Sequence, residues 1–156
     1  MVTEKKKRIL WALFCLYCAV MLWLLFGREE ATGDLSHWEQ MQLRINLTPF
    51  HTIFKQLRRL IRLHEPWAVR HSAVNLGGNV ILFVPLGIFL PLLWTKLRRL
   101  WRVLLVTALI IVLVEMGQVV TLLGRCDVDD VILNVLGAAI GYGVYKVIEK
   151  KTSLLE

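Results

Sequence analysis

Nine polar or charged side chains lie within or directly beside long apolar stretches of the sequence, and these are the residues that could do chemistry. They are Asn75, Asn79, Glu115, Gln118, Arg125, Asp127, Asp129, Asp130 and Asn134; we call them the polar cluster. A charged or amide side chain in hydrocarbon is costly, so each requires a partner, a hydrated cavity or a ligand. When the chain is threaded through a bilayer, all nine fall toward the same side. We therefore expect either a binding site or a polar packing core at that level.

Helical spacing gathers several of these side chains onto a few helix faces. Two pairs are four residues apart and stack on one face each, namely Asn75 with Asn79 and Asp130 with Asn134. Asparagines in a span bond either to a neighbouring helix or to a ligand, and an interhelical bond contributes only about 0.6 kcal/mol on average. Gly137 and Gly141 continue close to the second face as a G-x-x-x-G motif, which favours close helix packing.

Glu115 is the strongest single anomaly, because it interrupts an otherwise uncharged apolar run. Gln118 lies one turn closer to the end of that run, on the same helix face. A carboxylate at this depth must be paired, hydrated or protonated. Two interpretations stay open: a structural salt bridge to Arg125, or a functional site.

The turn before the last apolar run is acidic. It contains Arg125, Asp127, Asp129 and Asp130. Acidic residues at the start of a helix are favoured by its macrodipole, which gives these carboxylates a purely structural explanation. Three carboxylates beside an arginine also suit a divalent cation or a phosphate-bearing headgroup. The sequence alone does not choose between the two.

The elements that must position these residues are membrane-spanning helices. Hydrophobic residues make up 56% of the 156 residues, and the mean hydropathy is +0.58. A helix that crosses a hydrocarbon layer of about 30 Å needs roughly 20 apolar residues. Four runs meet this requirement: residues 9–26, 74–94, 103–123 and 131–147. We therefore predict an all-α membrane protein with four transmembrane helices, a single domain over residues 1–156, and a location in the plasma membrane.

The distribution of basic residues predicts the orientation. Lysines and arginines precede the first span, fill the turn between the second and third spans, and follow the fourth. The positive-inside rule then places both termini in the cytoplasm (N-in/C-in) and the long connection, residues 27–73, outside. The net charge of +7 is thus mostly a topology signal. We expect the lipid bilayer as a partner and no binding to nucleic acid.

The long outer connection contains a predicted amphipathic helix. Six apolar residues repeat at helical spacing, namely Phe50, Ile53, Phe54, Leu57, Leu60 and Ile61, and four basic residues form the opposite face, namely Lys55, Arg58, Arg59 and Arg62. Pro49 suits the start of such a helix and Pro66 its end. A helix of this kind lies in the headgroup layer or packs over the outer ends of the spans.

The ordered series of these motifs resembles VanZ-like membrane proteins from about residue 46 to residue 145. The motifs are Asn46-Leu47-Thr48-Pro49-Phe50, Asn75-Leu76-Gly77-Gly78-Asn79 followed by Phe83, Pro85 and Gly87, Glu115-x-x-Gln118, and the series from Arg125 to Gly141. The founding member of that family is associated with low-level teicoplanin resistance in Gram-positive bacteria. The resemblance implies a bacterial plasma-membrane protein and a role in glycopeptide tolerance. It supplies no catalytic residues, no cofactor and no metal.

Three functions follow from these observations. The leading hypothesis is a non-catalytic envelope protein whose outer-leaflet polar pocket engages a lipid or a lipid-linked cell-wall precursor, or limits the access of a glycopeptide. The alternative is an intramembrane lipid-phosphate enzyme that uses the carboxylates with Mg²⁺ and Glu115 as general acid or base. The third is an assembly partner whose polar residues only pack helices.

Overall fold

The computed structural model describes residues 4–27, 36–62 and 66–153. The elements, in chain order, are α1 (Glu4–Phe26), α2 (His37–Leu43), β1 (Ile45–Asn46), α3 (His51–Arg62), α4 (Pro66–Leu93), a 3-10 turn (Thr95–Leu97), α5 (Leu100–Thr121), β2 (Cys126–Asp127) and α6 (Val128–Ser153). Four helices are long and apolar enough to cross a membrane: α1, α4, α5 and the Val128–Lys151 part of α6. The predicted all-α architecture with four spans is confirmed.

The spanning helices begin earlier than the apolar runs do. α4 starts at Pro66, eight residues before the predicted span, and α6 starts at Val128, three residues before it. Proline suits the first turn of a helix, because its missing N–H has no intrahelical partner there. α4 also continues through Pro85 and Pro91 as one helix. Apolar composition marks the part of a helix that lies in hydrocarbon, whereas the helix itself extends into the loop.

α4 and α6 form the most closely packed pair of the bundle. A Cβ atom added at Gly87 would clash with the backbone oxygen of Ala138, and Cβ atoms added at Gly137 and Gly141 would clash with the backbone oxygens of Val80 and Val84. Small residues let two helix backbones approach closely, as is common in membranes. The predicted role of the G-x-x-x-G motif in helix packing is confirmed.

α1 is attached more loosely than the other spans. Met21 is its buried residue, whereas Leu16 and Trp23 are 62% and 71% exposed. Two polar contacts hold this helix: the hydroxyl of Tyr17 donates to the backbone oxygen of Leu82 at 2.9 Å, and Gln118 donates to the backbone oxygen of Leu25 at 2.7 Å. Within a bilayer, most of the surface of α1 therefore faces lipid.

The long connection and the turn between α5 and α6 meet at the same end of the bundle, which we call the loop end. There β1 and β2 pair in parallel, with Ile45 opposite Cys126 and Asn46 opposite Asp127. The opposite, basic end holds the Thr95–Leu97 turn. Residues 28–35 and 63–65 of the predicted loop lie outside the described residues, and the N-in/C-in orientation stays a prediction.

The amphipathic helix between the first two spans is present as α3, at His51–Arg62. Its contacts with α4 include a buried hydrogen bond, in which the hydroxyl of Ser72 donates to the side-chain oxygen of Gln56 at 2.7 Å. Phe54 and Ile61 on its apolar face are 56% and 72% exposed. The helix is thus attached by its polar side and presents its apolar face outward, as a helix at a membrane surface does.

Candidate functional site

Asp129 connects α6 to the beginning of α3. The side chain is fully buried, and its two carboxylate oxygens accept the backbone N–H groups of Phe50, at 2.5 Å, and of Ile53, at 2.9 Å. The first N–H groups of a helix have no intrahelical partner, and an acidic side chain satisfies them and complements the helix dipole. Phe50 takes a left-handed conformation, with φ of 62°, where the chain enters α3. Asp129 therefore caps α3 from another helix.

Asp127 binds the same segment from the last residue before α6. Its Oδ2 accepts from the hydroxyl of Thr52 at 2.5 Å and from the amide of Asn46 at 3.1 Å. Its Oδ1 accepts the backbone N–H of Asp129 at 3.0 Å, in the manner of an N-cap residue. The carboxylate of Asp127 thus caps the start of α6 and also binds β1 and α3.

Glu115 supports this arrangement from α5. The side chain is 5% exposed, and its Oε2 accepts the backbone N–H of Asp127 at 2.9 Å. Arg125, the partner that one sequence-based interpretation assigned to Glu115, lies exposed in the turn. The group formed by Glu115, Asp127 and Asp129 with Asn46 and Thr52 is called the junction below. It joins α3, α5 and α6 at the loop end.

The α4 side of the polar cluster is tied to α6. The amide of Asn79 donates to Oδ1 of Asp130 at 2.5 Å. Asn75 is half-buried one turn earlier on α4. Asn134 is 3% exposed, and its side-chain oxygen has no hydrogen-bond partner among the described residues. The polar cluster lies on α4, on α5, and on α6 with the turn before it. Gln118 extends it to α1 by its bond to Leu25.

Arg44 is a buried cation that the sequence did not single out. Its Nη1 donates to the backbone oxygens of Leu122, at 2.7 Å, and of Gly124, at 3.2 Å. Its own backbone oxygen accepts the N–H of Cys126 at 2.9 Å. The carbonyl groups at the end of a helix carry partial negative charge, so a cation there is favourable. Arg44 caps the end of α5 as Asp129 caps the start of α3.

The thiol of Cys126 lies beside the junction, half-buried in β2. Burial is the main cause of its raised pKa, and the nearby carboxylates of Glu115, Asp127 and Asp130 add to the effect. A raised thiol pKa lowers the thiolate fraction at neutral pH, and the thiolate is the nucleophile. This position is therefore poorly suited to covalent catalysis.

The arrangement of the carboxylates does not fit the hypothesis of a Mg²⁺ site. Within residues 4–27, 36–62 and 66–153, no group of three or more His, Cys, Asp and Glu side chains is arranged to hold a metal ion. Both oxygens of Asp127 and of Asp129 already accept protein hydrogen bonds. A divalent cation would have to replace donors that hold the start of two helices.

A second polar feature lies on α3, next to the junction. A surface pocket of about 400 Å³ is lined by His51, Phe54, Lys55 and Arg58, which we call the basic pocket. Its three basic residues are spaced at i, i+4 and i+7 and so share one helix face. Lysine and arginine at such a site suit phosphate or carboxylate groups. The sequence marked Lys55 and Arg58 as the basic face of a helix, but it did not indicate a pocket.

Sequence reasoning missed two members of the junction, Asn46 and Thr52, and also the nearby Arg44. Asn46 and Thr52 stand in the resemblance motif and at the start of the amphipathic helix, respectively. Their short polar side chains gave no signal of burial, because both lie in a segment of mixed composition. These contacts form where β1 pairs with β2, and strands of two residues have no recognisable sequence pattern.

The fold and the polar cluster define a multi-pass protein of the plasma membrane, with four apolar helices and a buried polar junction at one end. The VanZ/LLP1 family model matches residues 14–149, and the chain belongs to this family. It is similar to Protein VanZ of Enterococcus faecium, with 28% identity over 133 residues that cover 85% of this chain and 71% of the relative. No solved structure matches.

Proposed function

We propose that this protein is a non-catalytic component of the bacterial envelope. Its loop end binds the phosphate-bearing headgroup of a lipid or of a lipid-linked cell-wall precursor, and this contributes to tolerance of glycopeptides such as teicoplanin. The observation that carries the proposal is the basic pocket, in which Lys55 and Arg58 lie beside His51 on a helix that the buried carboxylates hold in place.

The apolar face of α3 supports a position at the membrane surface. Phe54 lines the basic pocket and is 56% exposed, and its ring contacts that of Phe50 with centroids 6.2 Å apart. Such a helix binds membranes through its buried apolar area together with the attraction of its cations to anionic lipids. The acyl region of a lipid then lies against the aromatic rings, and its phosphate lies within reach of Lys55 and Arg58.

The polar cluster acts in this proposal by positioning. Asp129 and Asp127 fix the first turn of α3 against α6, and the bond between Gln56 and Ser72 fixes its middle against α4. A binding surface on a rigid helix loses less conformational entropy when a ligand binds than a surface on a free loop does. The junction therefore contributes to affinity without contacting the ligand.

The link to glycopeptides follows from family membership and from the chemistry of the ligand. Glycopeptide tolerance is the property with which the VanZ-like pattern is associated, and the chain belongs to that family. In the predicted orientation, the basic pocket faces the outer leaflet, where lipid-linked precursors are exposed to these antibiotics. A protein that holds the headgroup of the precursor would lower the access of the antibiotic to it.

The test is the teicoplanin susceptibility of a bacterial host that expresses the wild-type chain or a double variant, Lys55→Gln with Arg58→Gln. We expect the double variant to lose at least half of the tolerance, because the lysine and the arginine of the basic pocket are gone. The matched control is Arg62→Gln, which removes an exposed cation of α3 outside the pocket. Equal tolerance of the double variant and the wild type, at equal membrane levels, would refute the proposal.

A further inference from the structure

A second cavity is open at the surface of the bundle, in the half that adjoins the basic end. It is a cleft of about 520 Å³ between α1, α4 and α5. Its walls include Phe14 and Cys18 of α1, Leu90 of α4, Trp94 directly after α4, and Ile110 of α5. The volume lies in the range of about 300–1,000 Å³ that is usual for ligand sites. The loose attachment of α1 leaves this space open.

The chemistry of the cleft selects an apolar ligand with one anionic end. Among the described residues that line it, Lys96 is the one that carries a charge, and it lies in the turn between α4 and α5. The other lining side chains are almost entirely hydrocarbon, so a polar ligand would lose its hydration without gaining hydrogen bonds. A hydrocarbon chain fits the walls, and a phosphate fits the lysine.

The length of the cleft matches one leaflet. On α1 it runs from Phe14 to Leu22, and eight residues of helix span about 12 Å. Half of a hydrocarbon layer of about 30 Å is about 15 Å. Lys96 stands at the surface end of this distance, in a connection that also contains Arg98 and Arg99. An acyl chain that enters from this leaflet would fill the cleft while its headgroup stays at the basic residues.

We propose that the cleft binds one acyl chain of an anionic phospholipid from the leaflet at the basic end, with the lipid phosphate on Lys96. The charge at the mouth and the length of the cleft identify this occupant. The site lies at the opposite end of the bundle from the basic pocket, so it is independent of the function proposed above. A lipid held there would fill the space between α1 and the other spans.

The chain supplies a matched pair of positions for a test. Cys18 lines the cleft, whereas Cys15, one turn away on α1, is exposed and does not line it. Cys18→Trp would fill the cleft, and Cys15→Trp adds the same side chain on the surface of α1. Both changes are made in the Lys55→Gln and Arg58→Gln background, so that the basic pocket does not contribute bound lipid.

The measurement is native mass spectrometry of the full chain, released from detergent micelles that contain equal amounts of phosphatidylglycerol and phosphatidylcholine. We expect one retained phosphatidylglycerol in the background protein and in Cys15→Trp, and a loss of at least five-fold in Cys18→Trp. Lys96→Gln, a surface change that leaves the fold intact, should abolish the preference for phosphatidylglycerol.

Three results would overturn the inference. One is equal lipid retention by Cys18→Trp and Cys15→Trp. The other is retention that does not depend on Lys96 or on the headgroup, which would indicate ordinary lipid at the protein surface. A lipid-free dimer that Cys18→Trp disrupts would also overturn it, because a second copy of the chain would then occupy the cleft. Lipid bound only at the basic pocket cannot imitate the expected result in this background.

Discussion

Buried carboxylates in a membrane protein are usually taken as candidates for catalysis or ion binding, and here their partners are mostly backbone N–H groups. Asp129 accepts two of them from α3, and Glu115 accepts one from Asp127. A buried N–H group that loses its hydrogen-bond acceptor costs about 1–3 kcal/mol. These residues therefore hold segments of the chain together, and their oxygens have little capacity left for a ligand.

Substitution of Glu115 separates a structural role from a chemical one. Glu115→Gln keeps an oxygen that accepts the N–H of Asp127, so we expect near-normal thermal stability and near-normal teicoplanin tolerance. Glu115→Ala leaves that buried N–H without its partner, at a cost of about 1–3 kcal/mol, and should lower both. Thermal unfolding in detergent and growth with teicoplanin provide the two readouts. A stable Glu115→Gln protein without tolerance would instead show that the carboxylate itself is required.

The pH dependence of alkylation at Cys126 tests whether its thiol is buried beside the carboxylates of the junction. In a Cys15→Ala and Cys18→Ala background, the rate of reaction with iodoacetamide follows the thiolate. Because burial and nearby carboxylates raise the pKa above its usual 9.0, the thiolate forms only as pH rises beyond that value, and we expect slow reaction at pH 7 to 8. The comparison is a short cysteine peptide under the same conditions. A rate inflection at or below that of the peptide would contradict the described burial of the thiol.

At the scale of the elements, the contact of α4 with α6 is the part of the fold that tolerates least change. Gly141 faces the backbone of α4, whereas an added Cβ at Gly143, half a turn further along α6, would meet nothing within 4 Å. The two glycines lie in the same helix and differ in what they face. Close packing of small residues, rather than the hydrophobic effect, holds helices together in lipid.

Alanine substitution at these two glycines should have opposite effects. Gly141→Ala forces a methyl group against the backbone oxygen of Val84, so the helices must separate, and overpacking typically costs about 1–3 kcal/mol. Gly143→Ala should be neutral or stabilising by up to about 1 kcal/mol, because alanine has the higher helix propensity. Thermal unfolding of the two variants in the same detergent gives the comparison. A Gly141→Ala protein at least as stable as Gly143→Ala would contradict the described packing.

The sequence predicted the long elements well, because each carries a strong local signal. Four apolar runs gave the four spans, and the period of Phe50 to Ile61 gave α3. It did not predict the start of α4 at Pro66 or the pairing of β1 with β2. The strand pairing joins segments about 80 residues apart, and no local pattern encodes it. From the sequence, Pro66 is interpreted as following the end of α3, although proline equally suits the first turn of a helix.

At the scale of the whole molecule, the polar cluster connects α3 to the spanning helices through Asp127 and Asp129. The sequence predicted that the members of the polar cluster lie at one level of the bundle. A polar side chain in hydrocarbon requires a partner, and helical spacing places several of these side chains on shared faces. The sequence could not predict which partners they find, since backbone N–H groups leave no trace in a sequence. It also gave no sign of the basic pocket, which lies on the helix whose first turn Asp129 and Asp127 hold against α6.

The most direct test of this account identifies what α3 contacts in living cells. Phe54 lines the basic pocket, so the photo-crosslinking residue p-benzoylphenylalanine replaces one aromatic ring by another. After irradiation, mass spectrometry of the purified protein reveals the adduct. We predict a covalent adduct with a phosphate-bearing lipid or lipid-linked precursor that disappears when Lys55→Gln and Arg58→Gln are added. The absence of any adduct with a phosphate-bearing lipid or precursor would contradict the account. So would an adduct that persists after both cations are removed.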